Sequence, residues 1–377
     1  MLIVPPPTLG VRALNRALLH RQLLTCRASI SAEDALEHLV GMQAQAVNPP
    51  YVGLWTRISD FDRHDLGALL VRRRVVRIAL MRSTLHLVTA RDALVLRPLL
   101  ADMLARTVSG LLRRHLIGVD PSELVSVATT LIQRQPLTFA ELSKLLVQRW
   151  PDHHGNTMAQ TVRNMVPLVQ IPPRGLWDNN SNASHTTMAH WLGRELDDEL
   201  STEDFVLRYL GAFGPASVKD MQKWSGTTKL AATFERLGSR LRTYRNERGT
   251  ELFDIADAPI PDAEEEVPVR FLPEFDNILL AHVDRDRIIA AEHLPLVVTN
   301  NGIVRSTILV DGFVRGRWRI DRSRDLARLC IEPFVPLTTR TVRGLTEEGM
   351  ALLDFAAPEV ERRDIRFEPP VAHLGTV

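Results

Sequence analysis

The chain has 377 residues, 45% of them hydrophobic, and a formal net charge of +1. That length allows about two to three domains, and the apolar content can build real cores, which excludes a disordered or low-complexity chain. The apolar run at residues 1–4 meets Pro5-Pro6-Pro7 at once, and no later stretch reaches about 18 apolar residues, so neither a signal peptide nor a membrane span is expected and the protein is placed in the cytoplasm.

A first helix is expected over residues 11–24. Ser31 can cap a second, over 31–45, in which Glu33 and Asp34 put negative charge in the first turn and Leu36, Leu39 and Val40 keep a helical period. That helix delivers Gln43 and Gln45, two amides one residue apart, at its C-terminal end. In an intact helix, residues two apart point about 200° from each other, so both amides face one ligand only where the backbone leaves the helix between them. Pro49 and Pro50 favour such a departure. Alone, a glutamine pair at a helix end is more often a solvated surface.

Helices at 50–58 and 64–73 and strands at 75–81 and 84–88 complete a winged-helix pattern, and a long helical stretch over 90–116 follows. Thr84, His86 and Val88 share one face of their strand, where a structural histidine is the commoner explanation for His86. Residues 1–119 hold sixteen arginines, no lysine and eight acidic residues, a surplus of eight positive charges compatible with a phosphate-facing surface.

The pattern recurs twice. Helices at 121–134 and 156–165 flank one opened by Thr138-Phe139-Ala140-Glu141, which has capping-box spacing, and a turn at 172–175 follows. The clearest repeat has helices at 203–213 and 217–224, a third opened by Gly226-Thr227-Thr228, and strands at 241–245 and 250–255 around a polar turn. Residues 259–268, with Glu264-Glu265-Glu266, read as an acidic linker. Beyond them, Asp311-Gly312 signals a hairpin between strands at 303–310 and 313–320, which puts Arg315, Arg317 and Arg319 on one face. A charged stripe of this kind suits phosphate and protection of an edge strand equally.

The expected fold is therefore α+β and mainly helical, with three tandem winged-helix motifs followed by a β-rich C-terminal segment with a basic hairpin. The expected domains are 1–119, carrying Gln43-Ala44-Gln45 and the long connecting helix, then 120–200, 201–258 and 259–377. Cys26 and Cys330 are far apart and without ligand spacing, so no disulfide framework and no metal site are expected. Nucleotide hydrolysis and hydride transfer lack their glycine-rich motifs.

Taken in order, Met42-Gln43-Ala44-Gln45 with Asn48-Pro49-Pro50-Tyr51, Arg82-Ser83-Thr84-Leu85-His86-Leu87-Val88, Phe271-Leu272-Pro273-Glu274-Phe275-Asp276-Asn277 and Val310-Asp311-Gly312 resemble the AlkZ-like winged-helix DNA glycosylases. The resemblance implies a monofunctional glycosylase that hydrolyses the N-glycosidic bond of cationic N7-alkylated purines in double-stranded DNA, some relatives unhooking crosslinks. It implies catalytic roles for Gln43 and Gln45, and the aspartate of the YcaQ-like branch is replaced here by Gln45. Neutral amides are weak bases but can hold a water and offer carbonyl dipoles to a sugar gaining positive charge, which suffices only when the leaving base is already good. Arg82, Thr84, His86, Arg315, Arg317 and Arg319 are the expected DNA contacts, and a monomer without cofactor is expected. A tandem winged-helix regulator would instead prefer a DNA sequence and release no base, and a protein-interaction scaffold would show no DNA affinity.

Overall fold

Helices alternate with three β-sheets, an α+β architecture, among the residues that this computed structural model describes, which are 5–197 and 199–371 without the side chains of 111 and 113. The apolar run at 1–4 lies outside the described residues. Helices Val11–Arg21, Ala32–His38, Pro49–Trp55 and Arg63–Val71 precede the antiparallel strands Val75–Ala79 and Leu85–Thr89. The single stretch expected over 90–116 is two helices, Ala90–Leu99 and Ala101–His115. Pro98 has no N–H to give the Leu94 carbonyl, and that carbonyl accepts from the Asp197 N–H instead at 3.1 Å.

Helices Pro121–Arg134, Phe139–Arg149 and Gly155–Met165 follow, the middle one opened by the expected reciprocal cap between Thr138 and Glu141. After them come Thr202–Phe213, Val218–Ser225 and Ala231–Leu237 with the antiparallel pair Leu241–Asn246 and Glu251–Ile255. The last of these helices starts later than Gly226, which sits at φ 79° and ends the preceding helix.

Two of the sheets cross the expected domain boundaries. Met42–Gln43, Leu85–Thr89, Val75–Ala79, Leu168–Gln170, Ser184–Thr187 and Leu137–Thr138 lie in that order in one six-stranded sheet, which joins 1–119 to 120–200. Thr8–Leu9 runs parallel to Leu241–Asn246 and ties the N-terminal end to residues 201–258. The C-terminal sheet orders Arg270–Leu272, Thr307–Val310, Phe313–Arg322, Leu326–Pro333 and Arg362–Phe367 under the helix Thr339–Ala356. Phe271, Leu329, Leu345, Leu352 and Leu353 fill the space between sheet and helix.

The Asp311-Gly312 turn forms as expected, both residues at positive φ. Its tip docks on the first helix. Asp311 pairs with Arg12 and Arg16, and Asn15 donates to the Gly312 carbonyl at 2.8 Å. A side chain at Gly312 would meet Asn15, Leu19 and Arg16, so the close approach needs glycine.

Behind the sheet edge, Arg57 and Asp276 form a bidentate pair at 2.8 Å with both side chains fully buried, and Arg57 also donates to the Gly53 carbonyl at 2.9 Å. Replacing Asp276 with Ala strands the guanidinium in the core and should cost about 3–5 kcal/mol in denaturant unfolding. A loss below about 1 kcal/mol would show that the pair does not hold the fold, being the size expected of an exposed one.

Candidate active site

The site begins where the second helix stops. Ser31 caps it through the Asp34 N–H at 3.1 Å, but it ends at His38, not at Gln45. Val40 and Gly41 both take positive φ, 54° and 82°, and the Gly41 N–H reaches back to the Leu36 carbonyl at 2.8 Å. A Cβ at Gly41 would lie 2.4 Å from Val88, so only glycine fits. The chain then extends, Met42 and Gln43 pairing antiparallel with Leu87 and His86, and the Ala44 N–H donating to the Leu85 carbonyl at 2.7 Å. The expected helical setting is thus replaced by an edge strand at Gln43 and, at Gln45, by the bend that follows it. Both amides nevertheless reach the same segment, Gln43 at Arg82 and Gln45 at Leu85.

Gln43 is buried and Gln45 exposed. The Gln43 carbonyl accepts from Arg82 at 2.7 Å, and the Gln45 carbonyl accepts from the Leu85 N–H at 3.3 Å. Both donors lack lone pairs, so each amide must turn its oxygen inward and its NH2 away. The carbonyls expected to face the sugar are therefore engaged by protein, each with one lone pair to spare.

Arg82 is half-buried. It sits at φ 55°, donates to Gln43 and to the Trp224 carbonyl, and burial together with Arg285 brings its pKa down to about 10. Thr84 turns its hydroxyl to the Met81 carbonyl at 3.0 Å. His86, opposite Gln43 across the ladder, is buried; burial and the charges of Arg82 and Arg163 push it down to about 3. The neutral ring donates from Nδ1 to the Thr84 carbonyl at 3.0 Å, leaving Nε2 as an acceptor. Of the residues expected on DNA, these three are brought to the glutamines and bond to the protein there, with His86 Nε2 and part of the Arg82 guanidinium left over.

The motifs around the glutamines are their support. Arg77, buried and lowered to about 10 by burial, donates to the Ala44 carbonyl at 2.7 Å and the Ala46 carbonyl at 3.4 Å. Asn277 donates to the Gly41 carbonyl at 2.9 Å. Asn48 accepts from the Asp178 N–H at 2.9 Å, and the Tyr51 hydroxyl donates to the Gly175 carbonyl at 2.8 Å, clasping the loop over 171–183. Between that loop and the C-terminal sheet lies a cavity of about 300 Å³ lined by Asn48, Trp177, Glu274 and Trp318 among others. Burial raises the Glu274 carboxyl above its usual range.

The hairpin arginines do not form a bare positive stripe. Arg317 and Arg319 both pair with Glu332 on the neighbouring strand, whereas Arg315 lies over the Phe313 ring at 5.9 Å. Arg77, Arg163 and Arg285 were not singled out in the sequence. Position on an arginine-rich chain carries no local signal, since only the fold decides which guanidinium turns toward the sheet edge.

The chain matches the family model described as DNA glycosylase AlkZ-like over residues 36–355. A relative from Streptomyces sahachiroi, named interstrand DNA cross-link repair glycosylase, is 26% identical over 359 residues, which span 88% of this chain and 92% of the relative. The solved structure of the Streptomyces sahachiroi DNA glycosylase AlkZ superposes with a TM-score of 0.78 at 22% identity, covering 96% of this chain and 100% of that one. At that identity, the superposition shows the shared fold.

The depressed His86 makes the site a source of acid sensitivity. An unfolded histidine titrates near 6.5, and folded His86 near 3, so below about pH 6.5 only the unfolded state takes up the proton. Its contribution to stability is complete above that pH, falls by up to about 1.4 kcal/mol per pH unit as acid is added, and levels off once the folded ring protonates. His86→Gln should therefore show a shallower decline of unfolding free energy from about pH 6 to 4 than the parent. Parallel declines would mean that the folded ring accepts protons as readily as the unfolded one.

Proposed function

We infer that this chain, which belongs to the AlkZ-like DNA glycosylase family, hydrolyses the N-glycosidic bond of cationic N7-alkylated purines in double-stranded DNA, bulky adducts and crosslinks included. The observation that carries this reading is the meeting of the Gln43 and Gln45 amides at the segment 82–85, through Arg82 and the Leu85 N–H, beside a neutral His86. A water bound there can accept from one NH2 and donate to the remaining lone pair of the other carbonyl. No group in this arrangement takes a proton strongly, so the water is aimed rather than ionised. Bond breaking must then be driven by the base that leaves. A purine alkylated at N7 carries a positive charge and departs neutral, whereas an unmodified purine departs as a poor anion, and the site selects damage by being a weak catalyst.

Helices followed by an antiparallel strand pair, four in 1–119 and three in each of 120–200 and 201–258, support reading these segments as winged helices, followed by the β-rich segment 259–377. We read the protein as a cytoplasmic monomer whose units act as one body, since the six-stranded sheet joins the first two. At the hairpin, Arg315 is the phosphate contact we favour, because Glu332 and Asp321 already pair with Arg317 and Arg319.

Release of free base from duplexes carrying N7-methylguanine or a bulky N7 adduct tests the reading. Gln43→Ala and Gln45→Ala should each lower the rate about a hundredfold. The parent rate should be nearly flat from about pH 6 to 9, since neither amide titrates. No release from either substrate, with selection of a DNA sequence, would point to a winged-helix regulator. Replacing Arg315, Arg317 and Arg319 together with Ala should lower the salt slope of DNA binding by about one unit, and a drop of about three would put all of them on phosphates.

A further inference from the structure

Arg82 and Arg163 hold the turn between strands Val75–Ala79 and Leu85–Thr89, Arg285 lies within electrostatic range of Arg82, and none of the three pairs with a carboxylate among the described residues. Arg82 bridges Gln43 and the Trp224 carbonyl at the end of helix Val218–Ser225. The turn is pressed onto that end: a Cβ at Gly226 would lie 3.3 Å from Arg82 Cα. Arg163, from helix Gly155–Met165, donates to the Ser83 carbonyl at 3.0 Å. Arg285 arrives on a segment docked to the same helix Val218–Ser225, through the Val283 N–H and the Asp220 carboxylate at 2.8 Å. Its charge is felt at Arg82.

Arg285 is the informative member. Its neighbours Asp284 and Asp286 would be its natural partners, yet both are taken by Arg248 of the Leu241–Asn246 hairpin. Arg285 is left half-buried, with Nε shielded from solvent and without a hydrogen-bond acceptor. Guanidiniums gathered in a low-dielectric corner repel one another and lose hydration, an arrangement that is costly unless an anion completes it. Guanidinium geometry suits phosphate oxygens, to which it can donate in pairs.

We propose that Arg82, Arg163 and Arg285 form a seat for one backbone phosphodiester of the bound DNA strand, immediately beside Gln43. The proposal rests on the glycosylase reading and specifies how that site is registered on its substrate. The phosphate is held by the same guanidinium that orients the Gln43 amide, so the backbone position and the amide position are set together. The wing turn serves as the floor of the seat rather than as a free finger.

The experiment is DNA binding by fluorescence anisotropy on an unmodified duplex over a range of salt, with base release from an N7-methylguanine duplex measured in parallel. Arg285 makes no side-chain hydrogen bond or ion pair within the described residues, so Arg285→Ala should fold with an unchanged melting temperature. It should bind more weakly and lose about 0.9 from the slope of log K against log salt, whereas Arg285→Lys should keep most of that slope. If Arg285→Ala melts early, Arg285→Gln, which keeps the aliphatic stem, carries the same expectation. An Arg285→Ala protein with parental affinity and slope, while the parent still releases base, would overturn the seat and leave the glycosylase reading intact. A reduced slope in a protein whose parent releases no base would do the reverse.

Discussion

The buried pair of Arg57 and Asp276 is the constraint on which the candidate site depends. Both side chains are removed from water, and their charges are matched by two parallel hydrogen bonds of 2.8 Å, with a further bond to the Gly53 carbonyl. Such a pair offsets its desolvation only when geometry is tight, so it tolerates little sliding between the segments that carry it. Those segments are the end of helix Pro49–Trp55 and the stretch after strand Arg270–Leu272. The residue after Asp276 holds the Gly41 carbonyl, two residues before Gln43. The C-terminal segment thereby fixes the edge strand from behind, and Arg77 fixes it from the side through the carbonyls of Ala44 and Ala46.

Arginine use in this chain follows the same logic. The positive surplus of residues 1–119 suggests a surface that faces phosphate, but Arg16, Arg57 and Arg77 are almost wholly buried. They work as multiple donors that stay charged and gather carbonyls and carboxylates from distant segments. A charge count along the sequence cannot separate such interior clamps from an electrostatic footprint. The fold does so by showing which guanidiniums have found acceptors and which, like Arg285, have not.

Around the glutamines the same economy of partners governs chemistry. Donors at Arg82 and Leu85 decide how each amide is turned, and burial keeps His86 neutral. The result is a site of dipoles rather than of titrating acids and bases. Its catalytic strength would be modest, and its selectivity would come from the substrate's own charge.

Helix starts were legible in the sequence because a cap is a local bond: Ser31 and Thr138 each accept from an N–H three residues on, as their spacing indicates. The Asp311-Gly312 turn was legible for the same reason, its positive φ values being a property of two adjacent residues. The end of the second helix had a local signal too, Gly41, but the good helix formers Met42, Gln43, Ala44 and Gln45 read through it. What turned Met42 and Gln43 into a strand and drew Ala44 along was the ladder offered by Leu85, His86 and Leu87, some forty residues away. The pair of amides at positions 43 and 45 was therefore determined by the sequence, together with the caps and turns around it. The segment both amides reach, the direction of their carbonyls, the neutral state of His86 and the gathering of Arg163 and Arg285 about Arg82 and its turn were decided by tertiary structure, because each is set by partners that only the folded chain brings within hydrogen-bonding or Coulombic range.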